Sequence, residues 1–469
     1  MAQVKEMLAA GMRRTLSRCP VLRLRVRYSS QERNDIVMAF RQAVEKAGVI
    51  RCGSGVYVYN GRYYSPLPHS DFDNVIESLC EEHQLIVPLW DMIKRYAWSK
   101  AQDLTVDRQR AGHSLLCFWN GVVDFSSPSE DGTFTLMEHS PGHITFFEMP
   151  YAYDPNAACR VFERFLARVL PDENTRMNLQ ELCGCIFVDR ARYRIEKMGV
   201  LWGPGGNGKS TFAETLINVV GRGNVSHFDL KDLSTGGDRD KNIKHIAGKL
   251  LNYCTEITSR AINNPNVKAL ISMEPQMGRA VYSSPETVYD LPMLFGNVNE
   301  LPRISNSFKA IARRMAIYPF TVSIPAAEMD VSLSDRLRPE YPGILNWIMR
   351  GMLRLRENNW VFTRSEAMEK VVSDMERGRS AGNDVFSMFV SDSRYRPDPV
   401  DDDGKPLLLS VQTVAEQFRR WADYKGVKTD RASNTSIGRG LTAAGFRRKR
   451  ASDGSGAVQY LVYGRIRQW

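Results

Sequence analysis

The run Gly203-Pro204-Gly205-Gly206-Asn207-Gly208-Lys209-Ser210 constrains this chain more than any other feature. Glycines at this spacing let successive backbone N–H groups turn inward on an anion. Lys209 adds a positive charge for β- and γ-phosphates, and Ser210 a hydroxyl for Mg²⁺. Such a loop functions between a strand and a helix. Met198-Gly-Val-Leu-Trp202 reads as a short apolar strand and Thr211 to Val220 as a helix, so both neighbours are in place. The expectation is a site that binds and hydrolyses ATP with Mg²⁺, with the phosphates held by Gly203 to Thr211. Further apolar strands at Lys249 to Thr255, Pro292 to Gly296 and Ala316 to Phe320 alternate with helical stretches. That alternation predicts an α/β core with a mostly parallel sheet.

Hydrolysis needs an acid at a neighbouring strand end, to hold Mg²⁺ and polarise water. Glu256 closes the strand Leu250-Leu-Asn-Tyr-Cys-Thr-Glu256, 47 residues after Lys209. In Pro292-Met-Leu-Phe-Gly-Asn-Val-Asn-Glu-Leu-Pro302, either Asn297 or Asn299 would set an amide beside the γ-phosphate and the attacking water. Arg313-Arg314 precede the next strand, where an arginine entering from a neighbouring subunit would neutralise charge as the phosphoryl group leaves. A surface salt bridge is the competing reading for that pair.

With 469 residues the chain exceeds one core and divides into several units. No stretch approaches the ~20 apolar residues that span a bilayer. The eight cysteines lack zinc spacing, Cys183 and Cys185 being the one close pair, and read as reduced thiols of an intracellular protein. The net charge of +10 favours polyanion partners, nucleic acid first. Residues 1–30 hold seven Lys or Arg against Glu6, and residues 431–469 hold eight against Asp453. The arginine-rich start reads as a basic arm contacting DNA, as a disordered start, or as an amphipathic import sequence that would send the chain to mitochondria. Residues 31–150 read as mixed α/β, with a hairpin turning at Asn60-Gly61. Asp71-Phe-Asp73 there reads as a loop or helix start. Residues 157–188 repeat apolar positions at helical spacing. Near the C-terminus, helical patterns at Ser410 to Tyr424 and Asn434 to Gly445 precede strand-like Phe446 to Arg450 and Val458 to Tyr463. That is a winged-helix order, with Arg439 on the recognition helix and Arg447, Arg448, Lys449 and Arg450 along the first wing strand.

The order of P-loop, Glu256, Asn299-Glu-Leu-Pro302 and Arg313-Arg314 within about 110 residues resembles the superfamily III helicases, compact AAA+ motors of small viruses, phages and plasmids. It is most similar to the branch of the poxvirus and satellite-phage primase-helicases. Phe118-Trp-Asn-Gly-Val-Val-Asp124, Tyr153-Asp-Pro155 and Leu179-Gln-Glu-Leu-Cys-Gly184 look like further signatures of that branch, and the resemblance covers roughly residues 110–469. It implies a map: basic arm 1–30, mixed α/β region 31–150, helical oligomerisation collar 151–197, AAA+ P-loop motor 198–325, helical lid and linker 326–382 and winged-helix domain 383–469. It implies a hexameric ring that hydrolyses ATP between subunits and translocates 3′-to-5′ on single-stranded DNA in the cytoplasm of a bacterial host cell, served by a separate primase or polymerase. By family pattern Asn299 is the polar sensor and Arg314 the finger, and a channel hairpin within Val267 to Leu291 offers Lys268 and Arg279 to DNA. Two departures stand out. Relatives often carry two acids at the acid strand, where this chain has Thr255-Glu256, and an N-terminal primase-polymerase domain, which is not recognisable here. The competing function is an ATP-regulated initiator that mainly binds and melts duplex origin DNA.

Overall fold

The computed structural model describes residues 1–19, 22, 28–52, 55–103, 114–129, 132–262, 264–279, 285–299, 312–322, 324–325, 328, 330–376, 389–390, 392–393, 395–396, 407–425, 434–443, 445–450 and 458–462. The first unit comprises α1 (Ala2–Leu16), α2 (Ser30–Lys46), the antiparallel strands β1 (Val49–Cys52), β2 (Gly55–Tyr59) and β3 (Tyr64–Leu67), then α3 (His69–Glu82) and α4 (Val87–Asp103). Val4, Leu8, Met12 and Leu16 recur at i, i+4 spacing and are buried in one core with Ile36, Phe40 and Phe72. The start of the basic stretch is therefore a packed amphipathic helix, with Arg13 bonded outward to Glu82 (2.6 Å). Ser29 and Glu32 form a capping box that starts α2. At the anticipated turn, Asn60 Oδ1 accepts from the backbone N–H groups of Arg62 and Tyr63, both at 3.0 Å. Asp71 lies in the first turn of α3, paired with Lys5, and Asp73 faces His69 one turn earlier.

A small antiparallel sheet follows: β4 (Leu115–Phe118), β5 (Gly121–Asp124) and β6 (Leu136–Met137). Its Phe118 and Phe125 belong to the same core as the P-loop helix. Two of the sequence signatures meet here. Asn120 Nδ2 donates to Tyr153 O at 2.9 Å, while Asn120 Oδ1 accepts from Tyr153 N–H at 2.8 Å. The amide thus docks the β4–β5 turn onto the strand-like segment leading into the collar.

The collar is α5 (Arg160–Val169) and α6 (Glu173–Gly184). The central sheet comprises β7 (Met198–Trp202), β8 (Val225–Ser226), β9 (Leu251–Cys254), β12 (Met293–Val298) and β13 (Met315–Pro319), in the order β13-β7-β12-β9-β8. All four pairings are parallel. Around it lie α7 (Lys209–Val220), α8 (Leu230–Ser234), α9 (Arg239–Ile246), α10 (Ser259–Ile262), α11 (Pro265–Ile271) and the two-stranded hairpin β10 (Gln276–Gly278) and β11 (Glu286–Val288). Strands β7 and β9 are buried along their whole length, as a sheet covered by helices on both faces requires. After the sheet come α12 (Leu333–Leu337), α13 (Tyr341–Glu357) and α14 (Glu366–Glu376). No helix among the described residues is long and apolar enough to cross a membrane.

The Leu179–Gly184 signature also resolves as packing. Helix α6 lies so close to α13 that a Cβ on Gly184 would sit 2.9 Å from Met352 N, and one on Gly351 2.5 Å from the Gln180 carbonyl carbon. Glu181, 1% exposed, accepts from Arg354 Nε (2.7 Å) and from the Thr363 backbone N–H (2.7 Å). Gln180 Nε2 donates to Trp347 O (2.6 Å). Cys183 and Cys185 are buried thiols whose pKa values burial raises.

The C-terminal unit comprises β14 (Leu407–Ser410), α15 (Val411–Lys425), α16 (Asn434–Ala443), β15 (Arg448–Arg450) and β16 (Val458–Val462), with sheet order β14-β16-β15. Strand β14 is an addition to the sequence reading. Its run Leu407-Leu408-Leu409 is too short to show a period, and it pairs with Val462-Leu461-Tyr460, about fifty residues away. Ser410, read as the start of a helix, ends this strand and caps α15 by accepting from Thr413 N–H at 3.0 Å.

The buried carboxylate yields a prediction. Removing the Glu181 carboxylate leaves the Arg354 guanidinium its bonds to Gln180 Oε1 and Met177 O and partial access to water, but strips the acceptor from Arg354 Nε and from the Thr363 N–H, at a cost of about 1–3 kcal/mol. Denaturant unfolding of Glu181→Ala should show a loss of this size, whereas Glu163→Ala, which removes the exposed pair with Arg350, should cost under about 1 kcal/mol. Equal midpoints for the two variants would contradict the clamp.

Candidate functional site

In a parallel sheet every strand delivers its C-terminal end to the same edge. The P-loop leaves β7 there, Thr255 and Glu256 leave β9, and Asn299 follows β12. These segments, with α5 and the residues around α12, line a cavity of about 930 Å³.

The loop's glycines are conformational necessities at two positions. Gly203 has φ +154°, and a Cβ there would fall 2.0 Å from Phe320 O. Gly208 has φ +85° and lies beneath Phe165 and Val169 of α5, a Cβ coming within 2.9 Å of Val169 Cγ1. Helix α7 begins directly afterwards, so the backbone N–H groups of Lys209, Ser210 and Thr211 have no acceptor within the helix and lie beside the cavity. The Lys209 ammonium is buried among the loop's own oxygens, donating to Gly203 O (2.5 Å), Pro204 O (2.8 Å) and Asn207 Oδ1 (3.0 Å). Burial lowers its pKa. The Asn207 side chain in turn donates to Phe320 O, tying the loop to the end of β13.

Glu256 is exposed to the cavity. The strand end that carries it is shaped by Asp229, which the sequence reading did not single out. Asp229 Oδ1 accepts from the N–H and hydroxyl of Thr255, both at 3.0 Å, and from Glu256 N–H at 3.3 Å. A second acid thus stands at the strand end from a distant segment, where Thr255 leaves the place empty in the linear motif. Its one local signal was an Asp immediately before the helix α8.

Both asparagines line the cavity, Asn297 within β12 and Asn299 just past it. Asn297 Oδ1 is buried with no hydrogen-bond partner among the described residues. Residues 300–302 of the Asn299-Glu-Leu-Pro302 motif lie outside the described residues.

Arg314 is elsewhere. It immediately precedes β13, and its carbonyl accepts from Met198 N–H at 2.8 Å at the start of β7. Five strand residues, about 17 Å at ~3.3 Å each, separate this edge from the P-loop edge of the same chain. Arg313 beside it is exposed.

Five residues the sequence reading missed also line the cavity: Arg164 and Arg168 on α5, Glu328, Asp330, and Arg336 on α12. Arg168 pairs with Glu328, and Arg336 with Asp330 at 2.7 Å. The i, i+4 spacing of Arg164 and Arg168 was legible, but nothing in the sequence placed α5 over the loop. Val161, Phe165, Ile324 and Leu333 supply an apolar wall, as a flat base would need.

Among the described residues no cluster of three or more His, Cys, Asp or Glu could hold a metal ion unaided. The donor set fits a divalent cation shared with phosphate oxygens, with Ser210 and Glu256 as the protein side.

Of the residues expected to meet DNA, Lys268 lies on α11 and is half-buried, and Arg279 is exposed just past β10. The hairpin base rests on α9 through Lys244–Glu286, Arg239–Gln276 and Arg279 N–H donating to Asp240 O (3.0 Å). Arg447, just before β15, and Arg448 and Lys449 on it are exposed. The side chains of Arg439 and Arg450 lie outside the described residues.

Residues 91–171 match the protein family described as D5 N terminal like, and residues 201–314 match one described as a family of unknown function. Two solved apo structures of the NrS-1 C-terminal region are similar to this chain at 11% identity. They cover 91% of it and 98% of their own length, with TM-scores of 0.47 and 0.43.

The lysine's setting carries a prediction. A lysine whose folded pKa is depressed disfavours folding in its charged form; the penalty is full below that pKa, neutral pH included, and fades as pH rises through it toward the unfolded value. Lys209→Met should therefore leave the thermal midpoint of the ligand-free chain at neutral pH no lower than wild type. The rise in midpoint that ATP with Mg²⁺ produces should vanish. A variant still stabilised by nucleotide would remove Lys209 from the phosphate site.

Proposed function

We propose that the chain is an ATP-dependent DNA helicase of the superfamily III AAA+ type, working as a ring on single-stranded DNA in the replication of a phage, plasmid or integrated element. The observation that carries this reading is the split between the two sheet edges. The P-loop, Glu256, Asn297 and Asn299 share one cavity, while Arg314 lies a strand length away at the opposite edge. An arginine placed there serves a triphosphate only in a neighbouring copy, which favours hydrolysis between subunits of an oligomer, a hexamer by resemblance. The sheet order, with the asparagine strand between the P-loop and acid strands, supports the AAA+ assignment. The D5-type match over residues 91–171 supports the primase-helicase branch.

In this reading Lys209 leaves the loop carbonyls for the β- and γ-phosphates, and the N–H groups at the start of α7 receive the remaining oxygens. Bound Mg²⁺, held by Ser210 and Glu256, supplies charge neutralisation on the phosphates. Glu256 orients the attacking water and takes its proton, and ADP leaves as the phosphorus–oxygen bond breaks. Asn299, with Asn297 behind it, hydrogen-bonds the water or the γ-phosphate. Arg314 of the neighbouring copy neutralises the charge that develops. Asp229 acts through Thr255 and Glu256 as a positioning residue.

Turnover of ATP with and without single-stranded DNA, together with displacement of a paired strand, tests this reading. Lys209→Ala should abolish both activities, and Glu256→Gln should bind ATP but hydrolyse it poorly. Asp229→Asn should keep ATP affinity within about threefold and lower kcat about 10- to 100-fold, as a misplaced general base does. Strand displacement without ATP, or none with it, would end the helicase reading.

The initiator reading draws support from the C-terminal unit, whose strand–helix–helix–hairpin order is that of a winged helix and whose β15 exposes basic side chains. Replacing Arg447, Arg448 and Lys449 together by Ala should weaken duplex binding about tenfold or more at low salt, and flatten its salt dependence. Unchanged affinity in a mobility-shift titration would leave this unit a packing role.

A further inference from the structure

The guanidinium of Arg314 is held inside its own chain. Its Nε donates to Ser272 Oγ at 2.9 Å, and its Nη2 lies 2.9 Å from Glu196 Oε2. The Arg314 side chain is 14% exposed in this setting, against 44% for Glu196. Ser272 occupies a particular place. It is the C-cap of α11, its N–H donating to Lys268 O, and Met273 beyond it turns the chain at φ +57° into β10. The hydroxyl that receives Arg314 is therefore at the root of the hairpin bearing Arg279. The hairpin base is also tied to α9 through Lys244–Glu286 and Arg239–Gln276.

A guanidinium that reaches into a neighbouring copy's triphosphate site must leave Ser272 and Glu196. Glu196 then loses its cation, and the α11–β10 turn loses a restraint.

We propose that Glu196 and Ser272 form a holding site for Arg314 that couples hydrolysis at the subunit interface to the β10–β11 hairpin. This rests on the helicase reading above. With the site filled, the finger is withdrawn and the hairpin root is restrained. When Arg314 crosses the interface, the root is released. By reciprocity, DNA that displaces the hairpin frees Arg314 for the neighbouring triphosphate. Glu196 and Ser272 touch neither nucleotide nor reacting atoms and act as positioning residues.

The test is steady-state ATP turnover by the full chain with Mg²⁺, with and without a mixed-sequence single-stranded oligonucleotide. Wild type, Lys209→Ala, Ser272→Ala, Ser272→Thr and Glu196→Gln are compared. Ser272→Ala, which removes one of the holds, should raise DNA-free turnover and lose about 2- to 30-fold of the DNA stimulation ratio, the span of couplings carried by single residues. Ser272→Thr, which keeps the hydroxyl, should restore the stimulation. Glu196→Gln, which weakens the hold, should raise DNA-free turnover and so lower the stimulation ratio. If Ser272→Ala instead loses DNA-free turnover, Ser272→Thr and Glu196→Gln decide the matter by the same ratio. Wild-type stimulation in both Ser272→Ala and Glu196→Gln overturns the holding site and leaves the ATPase reading intact. So does a wild type that hydrolyses ATP without any response to DNA. A wild type as inactive as Lys209→Ala overturns the helicase reading itself.

Discussion

Parallel pairing of β13, β7, β12, β9 and β8 is the constraint on which the rest of the molecule turns. It sends whatever follows each strand to one edge and whatever precedes it to the other. The loop glycines, Glu256 and Asn299 come together because they follow strands, and Asn297 because it lies near the end of one, although the segments between them run to tens of residues. Arg314 is kept away from them by the same rule, because it precedes one. Antiparallel pairing at any of these strands would have scattered the cavity or brought the arginine into it. The edge that holds the phosphate loop also receives the N-terminus of α7, so the backbone polarity and the charge of Lys209 act in the same place.

Around that edge the collar supplies stiffness. Phe162 stacks on Phe212 of the P-loop helix, with centroids 6.3 Å apart, and meets Trp347 of α13 edge-on at 5.2 Å. Gly184 and Gly351 let α6 and α13 approach closely, and the buried Glu181 fixes that approach by binding Arg354 and the Thr363 backbone. The result is a continuous core from the β4–β6 sheet through α5 and α6 to the central parallel sheet. The two sequence segments around Asn120 and Gln180-Glu181 belong to this framework rather than to chemistry. They position the element that roofs the site.

Much of the central α/β unit was legible from the chain alone, because its signals are local. A P-loop needs its glycines, lysine and serine within eight residues, and buried parallel strands show as short apolar runs. The asparagine turn at residue 60 and the apolar stripe of α1 are equally local. Less was legible where a pairing joins distant segments. Strand β14 exists only because Leu407–Ser410 finds β16. Asp229 looks like an ordinary helix cap until its carboxylate meets Thr255 and Glu256, 26 and 27 residues on. The cavity's added arginines, Arg164, Arg168 and Arg336, come from segments before and after the motor.

The sequence by itself determined the chemistry on offer: a glycine-rich loop ending in a lysine and a serine, an acid at a strand end, amides and an arginine pair in a fixed order, and basic charge toward both ends. These are properties of residue type and short spacing, where a few backbone torsions decide the outcome. Only the tertiary structure decided which of these groups meet. Which of Asn297 and Asn299 lies inside the strand, which acid braces Glu256 and where Arg314 rests depend on strand order and helix packing. Those are settled by burying one large apolar surface, a sum over hundreds of atoms that no local pattern encodes.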